Sequence, residues 1–233
     1  MVTLLLLASA VGLHAQVENI QWIPLEVPQL SREEVMWLDA ATDISRNNAP
    51  MYEQALNYLA EQASEGFISA GDRISISLIK RIALSPFSRV SAGSTAHGAD
   101  VQQRSQAVQI LEFIGGEYSL SAADDILEME QDPAVLRQLF RVYEEIAPPF
   151  NELRSEYFTR HLRSALLRHR DGALIDSILA AVRSMHERTW SMKSEELFEQ
   201  ILGVMERGTS RRQKYAALSL AELIAGIEIQ KRF

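Results

Sequence analysis

One apolar stripe recurs six times along this 233-residue chain, and a chain built that way is constrained to fold as stacked helices. The stripe has apolar or small residues at x, x+3, x+4 and x+7, then a small residue at x+8. It reads Trp37, Ala40, Ala41, Ile44, Ser45, then Ser75, Leu78, Ile79, Ile82, Ala83, then Ala107, Ile110, Leu111, Ile114, Gly115. It returns as Leu139, Val142, Tyr143, Ile146, Ala147 and as Ile178, Ala181, Val182, Met185, with His186 in the small position. The last copy is Ala217, Leu220, Ala221, Ile224, Ala225. Residues three and four apart share one face of a 3.6-residue helix, so any single match marks only an amphipathic helix. Six matches anchored at 37, 75, 107, 139, 178 and 217, spaced 32 to 39 residues, mark a repeat that holds two helices per copy. One such pair cannot bury its own stripe, whereas stacked pairs share a continuous core. The expected fold is therefore all-α, an α-solenoid of about five to six helix pairs.

Local signals place the helices. Asp100, Ser121, Asp132 and Ser210 each precede a helical pattern, where a side-chain oxygen can accept the unpaired first-turn amides. Ser31 and Glu34 have capping-box spacing. Pro133 follows Asp132 at a first-turn position that tolerates its missing N–H. Pro148–Pro149 and Asp171–Gly172 interrupt helical patterns. The predicted helices span 31–46, 50–65, 71–84, 100–115, 120–131, 133–147, 150–169, 172–187, 192–207 and 210–229, and no strand pattern longer than a few residues competes.

The stretch from Asp100 to Leu127 resembles a HEAT-type repeat of the short, phycobilisome-lyase-like kind. Asp100, Val101, Arg104, Ala107 and Gly115–Gly116 stand in the order those repeats use, and Asp132 to Ala147 is a second, looser match. The resemblance covers about 130 residues and implies a HEAT/armadillo-like superhelix. The chain departs from the family pattern in lacking the glycine after its later first helices and in its long 150–169 helix. Short repeats of this kind occur in chromophore lyases and base-excision enzymes, so the resemblance also admits an enzyme.

Three segments stand outside the repeat. Leu4 to Leu13 is a short apolar run, below the roughly 20 residues that cross a bilayer, with Ala15 placed for cleavage before Gln16. Residues 1–15 are expected to be a signal peptide, making the chain exported, either periplasmic or secreted. No Lys or Arg precedes the run, and Leu13 occupies a position where a small residue is preferred. Residues 16–30 carry two prolines and partial alternation of Ile20, Trp22, Leu25 and Val27, which predicts an extended arm lying on a helical body of 31–233. Residues 85–99 are rich in Ser, Gly and Ala, have no helical period and fall where a second helix is due, which predicts an irregular loop. The outer face of the last helix and its tail carry Leu218, Ile227, Ile229 and Phe233, so this end is expected to fold back, to be covered by the 16–30 arm, or to serve self-association.

Charge and chemistry narrow the function. The chain has 31 acidic and 23 basic residues, net charge −8, which disfavours a general nucleic-acid binder. It has no cysteine, hence no disulfide, thiolate nucleophile or thiolate metal site. GxSxG, P-loop, GxGxxG and HExxH patterns are absent. His161 and His169 are eight apart on one helix, too far to share a metal, and adjacent acids such as Asp124–Asp125, Glu144–Glu145 and Glu195–Glu196 read as solvated helix surface. No catalytic residue, cofactor or metal site is expected. A basic stretch runs against the net charge: Arg154, Arg160, Arg163, Arg168 and Arg170, followed by Arg211, Arg212 and Lys214. Arg160, Arg163, Arg170, Arg211 and Arg212 are the expected contacts to a protein partner or to a polyanion such as lipid head groups, with the 85–99 loop as a further contact. The expected function is an exported, non-enzymatic protein-binding scaffold with no transmembrane segment after the signal. The alternatives are a self-assembling component of the cell envelope and a HEAT-type lyase or other enzyme.

Overall fold

The computed structural model describes residues 49–87, 98–169, 171–190 and 192–226. The signal peptide, the extended arm, the 31–46 helix, the stripe at 37, residues 88–97 of the loop, Arg170 and the tail from Ile227 lie outside them. Nine helices are described: α1 (Ala49–Ser64), α2 (Arg73–Leu84), α3 (Val101–Ile114), α4 (Gly116–Met129), α5 (Pro133–Ile146), α6 (Glu152–Ser164), α7 (Gly172–Thr189), α8 (Glu195–Arg207) and α9 (Arg211–Ala225). A 3-10 turn, Ser85–Phe87, follows α2, and a π-helical turn, Ala165–His169, follows α6. The described residues contain no strand.

Three helix starts, those of α3, α5 and α9, are set by the caps the sequence marks, Asp100, Asp132 and Ser210. Asp100 caps α3 in a full capping box with Gln103, each side chain bonding the other's backbone N–H at 2.8 and 3.1 Å. Asp132 caps α5 with Pro133 in the first turn, and Asp171, Ser194 and Ser210 cap α7, α8 and α9. The helix expected at 120–131 is a correction: α4 begins at Gly116, and Ser121 lies inside it rather than at its cap. Gly115 and Gly116, at φ +67 and +79, turn the chain sharply enough that α3 and α4 need no intervening loop. Only glycine fits at 116, because a Cβ there would sit 2.6 Å from the Ala70 Cβ.

The recurring stripe is the core. Leu78, Ile79, Ile82 and Ala83, then Ala107, Ile110 and Leu111, then Leu139, Val142 and Tyr143 are buried, as are Ile178, Ala181, Val182, Met185, Ala217, Leu220 and Ala221. Each helix packs on the helix two further along, α1 on α3, α3 on α5, α5 on α7, α7 on α9, and likewise α2 on α4, α4 on α6 and α6 on α8, and most also pack on an immediate chain neighbour. The stripes at 107, 139, 178 and 217 all fall on odd-numbered helices, whereas the one at 75 falls on α2. The odd-helix copy preceding 107 is Tyr52, Ala55, Leu56, Leu59 and Ala60 on α1, with the first four buried. It went unread in the sequence because the 85–99 insertion stretches its spacing to the next stripe from 32–39 residues to 55 (52 to 107). That insertion is pinned at its base. Ser85 Oγ donates to the Ile82 carbonyl at 2.7 Å and accepts the Ala99 N–H at 2.8 Å, joining the two ends of the loop.

The polar links between helices follow the same rule. Lys80 (α2) pairs with Asp125 (α4), Gln106 (α3) with Asn57 (α1), Gln138 and Arg141 (α5) with Glu112 (α3), and Arg154 (α6) with Asp124 (α4). Arg163 (α6) pairs with Glu196 (α8), and Arg183 (α7) bonds Ser219 (α9). Arg104 of α3 reaches Glu130 ahead of α5 at 2.8 Å, and Arg137 of α5 reaches the α7 cap Asp171 at 3.1 Å. Among the described residues, the side-chain bonds between helices one apart are Tyr143–Asp124 and Lys214 to the Glu206 carbonyl. The two tight glycine positions make a direct comparison. Gly66→Ala, at φ +80 with open space around it, is expected to cost about 1 kcal/mol. Gly116→Ala is expected to cost roughly 2–4 kcal/mol in urea denaturation, because it adds the Ala70 collision to the same backbone strain.

Candidate functional site

A groove of about 610 Å³ opens between the starts of α6 and α8. Its lining includes Phe150, Glu152, Glu156, Lys193, Ser194 and Glu196. Pro148–Pro149 end the helical pattern, so Phe150 and Asn151 run free of helix before α6 begins. Phe150 meets Phe158 edge-on at 5.7 Å between ring centroids, and Phe158 in turn packs on Phe140 at 4.9 Å and Tyr143 at 5.3 Å. This buried aromatic cluster fixes one wall. The caps Asn151 and Ser194, accepting the Arg154 and Leu197 amides at 2.8 and 3.2 Å, fix where the two helices start. Glu196 is matched by Arg163 at 2.6 Å, which leaves Glu152 and Glu156 facing the single cation Lys193. The groove is therefore acidic. Sequence reading missed it because its walls come from two segments some 40 residues apart (156 to 196), and only packing brings them together.

The expected basic contacts are not gathered into one face. Arg160 is an exposed residue, yet its guanidinium lies over the Tyr157 ring at 4.9 Å and donates to the Leu127 and Glu128 carbonyls at 3.2 and 3.1 Å. It thereby satisfies the C-terminal carbonyls of α4, which have no intrahelical donor. Arg163 is bound to Glu196. Arg154, nearly buried, holds Asp124 through Nη2 at 2.8 Å and Nε at 3.1 Å, with Tyr143 donating to the same carboxylate at 2.8 Å. Arg211 and Arg212 are exposed in the first turn of α9, at the far end of the molecule in chain order; Arg211 lies over Tyr215, 5.4 Å from the ring centroid.

Glu112 shows how closely acids gather on the odd helices. Burial raises its carboxyl above the ordinary range; Arg141 lowers it, while Glu145 and Glu144 raise it further. Gln138 donates to it. No helix among the described residues is long and apolar enough to cross a membrane. No protein-family model, curated protein or solved structure matches the chain.

Among the described side chains, His161 is the one histidine held in this architecture by a hydrogen bond. It is buried, its Nε2 is 3.1 Å from the Leu127 carbonyl, and its ring meets Phe140 edge-on at 6.1 Å. A carbonyl only accepts, so Nε2 carries the proton. Burial lowers its pKa from 6.5 to about 4. Because the folded value lies below the unfolded one, the unfolded chain takes up the proton first. Stability from this group is full above pH 6.5 and falls as the pH drops towards 4, by roughly 3 kcal/mol in all. His186, also lowered by burial, adds in the same direction. Urea midpoints across this range are expected to drop steeply for the wild type. They should flatten for His161→Gln, whose amide keeps a donor for Leu127 and does not titrate; an unchanged slope would contradict the assignment.

Proposed function

We propose that the chain is a HEAT-like α-solenoid that works as a non-enzymatic, protein-binding scaffold. The observation that carries this reading is the pattern of helix contacts: each helix packs on neighbours one or two away in chain order, and the helix-to-helix side-chain bonds keep to the same range. A stack held together this way offers a long surface made by several modules, and a partner reads that surface rather than a reactive centre. The family resemblance at Asp100–Gly116 and the recurring stripe point the same way. The binding site favoured by the geometry is the α6–α8 groove. Its acidic lining, rigid aromatic wall and single lysine suit an extended segment carrying Lys or Arg. The apolar run at Leu4–Leu13 supports placing this activity outside the cytoplasm.

The reading is tested by affinity capture from the native compartment with the wild type and with Glu152→Lys plus Glu156→Lys. Both positions are on the surface of α6, so circular dichroism of the variant should match the wild type. The expected result is one protein that is captured by the wild type and lost with the variant, alongside a control chain without residues 1–15 that is not exported and does not capture it. Capture that survives the double variant would overturn the groove assignment.

A further inference from the structure

The chain leaves α9 close to where the α6–α8 groove opens. α9 stops at Gly226, whose left-handed conformation (φ +62) turns the backbone off the helix axis. Three residues, 208–210, link α8 to α9, and the two helices pack along one another. Lys214 near the start of α9 bonds the Glu206 carbonyl near the end of α8 at 3.1 Å. The pair is therefore an antiparallel hairpin. With 13 and 15 residues the helices are about 20 and 22 Å long, so the end of α9 lies beside the start of α8. At that start stand Lys193, Ser194 and Glu196, which line the groove.

The sequence that follows, residues 227–233, reads Ile-Glu-Ile-Gln-Lys-Arg-Phe. Packed helices sit about 8–10 Å apart and an extended chain advances about 3.3 Å per residue, so the path from Gly226 to Lys231 spans about 16 Å. That is enough to cross the start of α8 and enter the groove, where the exposed Glu152 and Glu156 face the single cation Lys193. Charge and place both select this segment. Lys231 and Arg232 are adjacent cations, whereas the stretch 88–97 holds Arg89 alone and residues 1–48 hold Arg32 and Arg46, well separated. Those two stretches also join the described chain at α1, α2 and α3, whose main packing partners lie among α1 to α5 rather than at the groove.

We infer that residues 227–233 dock in the α6–α8 groove of their own chain, with Lys231 and Arg232 on Glu152 and Glu156, so that the tail is a built-in competitor for any basic segment the groove takes. The inference rests on the reading of that groove as a site for segments carrying Lys or Arg. Surface ion pairs of this kind are individually weak, and a tethered ligand does not need them strong. A tether this short holds its end at about millimolar effective concentration, so a tail of about 0.1 mM intrinsic affinity weakens a free competitor roughly tenfold. A partner gains the groove by outbidding that tail or by holding it elsewhere, which makes the tail a regulator of access.

The experiment is fluorescence anisotropy of a labelled peptide with the sequence of residues 226–233, added to the full wild-type chain and to the full chain carrying Lys231→Glu plus Arg232→Glu, whose circular dichroism should match. The tail-reversed chain is expected to bind the peptide about tenfold more tightly than the wild type, and to lose it when Glu152→Gln plus Glu156→Gln are added. Equal binding by the wild type and the tail-reversed chain, or binding that survives the glutamine changes, would overturn the inference. A labelled peptide of the same length alternating Lys and Ala separates this inference from the reading it rests on. If the tail-reversed chain takes that peptide through Glu152 and Glu156 but ignores the tail peptide, the groove stands and the inference falls; if it takes neither, both fall. Wild-type suppression that fades on dilution, with a dimer seen by light scattering, would seat the tail on a second copy and overturn docking within one chain.

Discussion

What the rest of this structure depends on is a polar bond thrown from one helix to the helix two further along. An α-helix leaves its last carbonyls without donors and needs its neighbour at a fixed height as well as at a fixed distance. Here, side chains meet both needs. Arg160 of α6 caps α4, and Ser184 and Arg188 of α7 bond the Glu144 and Glu145 carbonyls of α5 at 2.6 and 2.8 Å. Gln213 of α9 bonds the start of α7. Apolar stripes alone would let parallel helices slide by a turn, because one buried leucine resembles the next. A carbonyl that must meet one particular guanidinium fixes the register.

The same ties explain which charges remain available. A cation inside the stack is drawn on by a carboxylate two helices away or at a nearby turn, as Arg154 is by Asp124 and Arg104 by Glu130. The Arg104–Glu130 pair is almost fully buried, and Glu130 also accepts the Gln131 and Asp132 amides at 2.9 and 2.8 Å, so it belongs to the turn that launches α5. Beyond α9 no further helix is described, and there Arg211 and Arg212 have no carboxylate partner among the described residues. The groove between α6 and α8 has a related origin. Two successive even helices start side by side, and the acids that suit each helix start accumulate in the gap between them.

Much of this is written in the sequence, and the reason lies in distance along the chain. The stripes recur every 32 to 39 residues, and bonded side chains such as Arg163–Glu196 and Arg154–Asp124 are separated by 33 and 30 positions, so one period governs both core and register. Caps were legible at Asp100, Asp132 and Ser210 because a cap is a local bond. Ser121 misled because its preference for helix starts is also local, whereas the true start of α4 is set by Gly115–Gly116 and by the nearness of Ala70 from another loop. The stripe on α1 was obscured by an insertion that changes spacing without changing packing. The roles of Arg160 and Arg163 were illegible for a further reason: a helical wheel shows which side chains leave a helix together, and says nothing of whether a carbonyl or a carboxylate is waiting on the next one.

Native-state hydrogen exchange under increasing denaturant tests the short-range account most directly. If stability is assembled from neighbouring helices, the amides of α1 and α9 open first in separate sub-global steps, and those of α3, α5 and α7 persist to the highest denaturant. A single merging isotherm, with amides of all nine helices exchanging only through one global unfolding event, would contradict it.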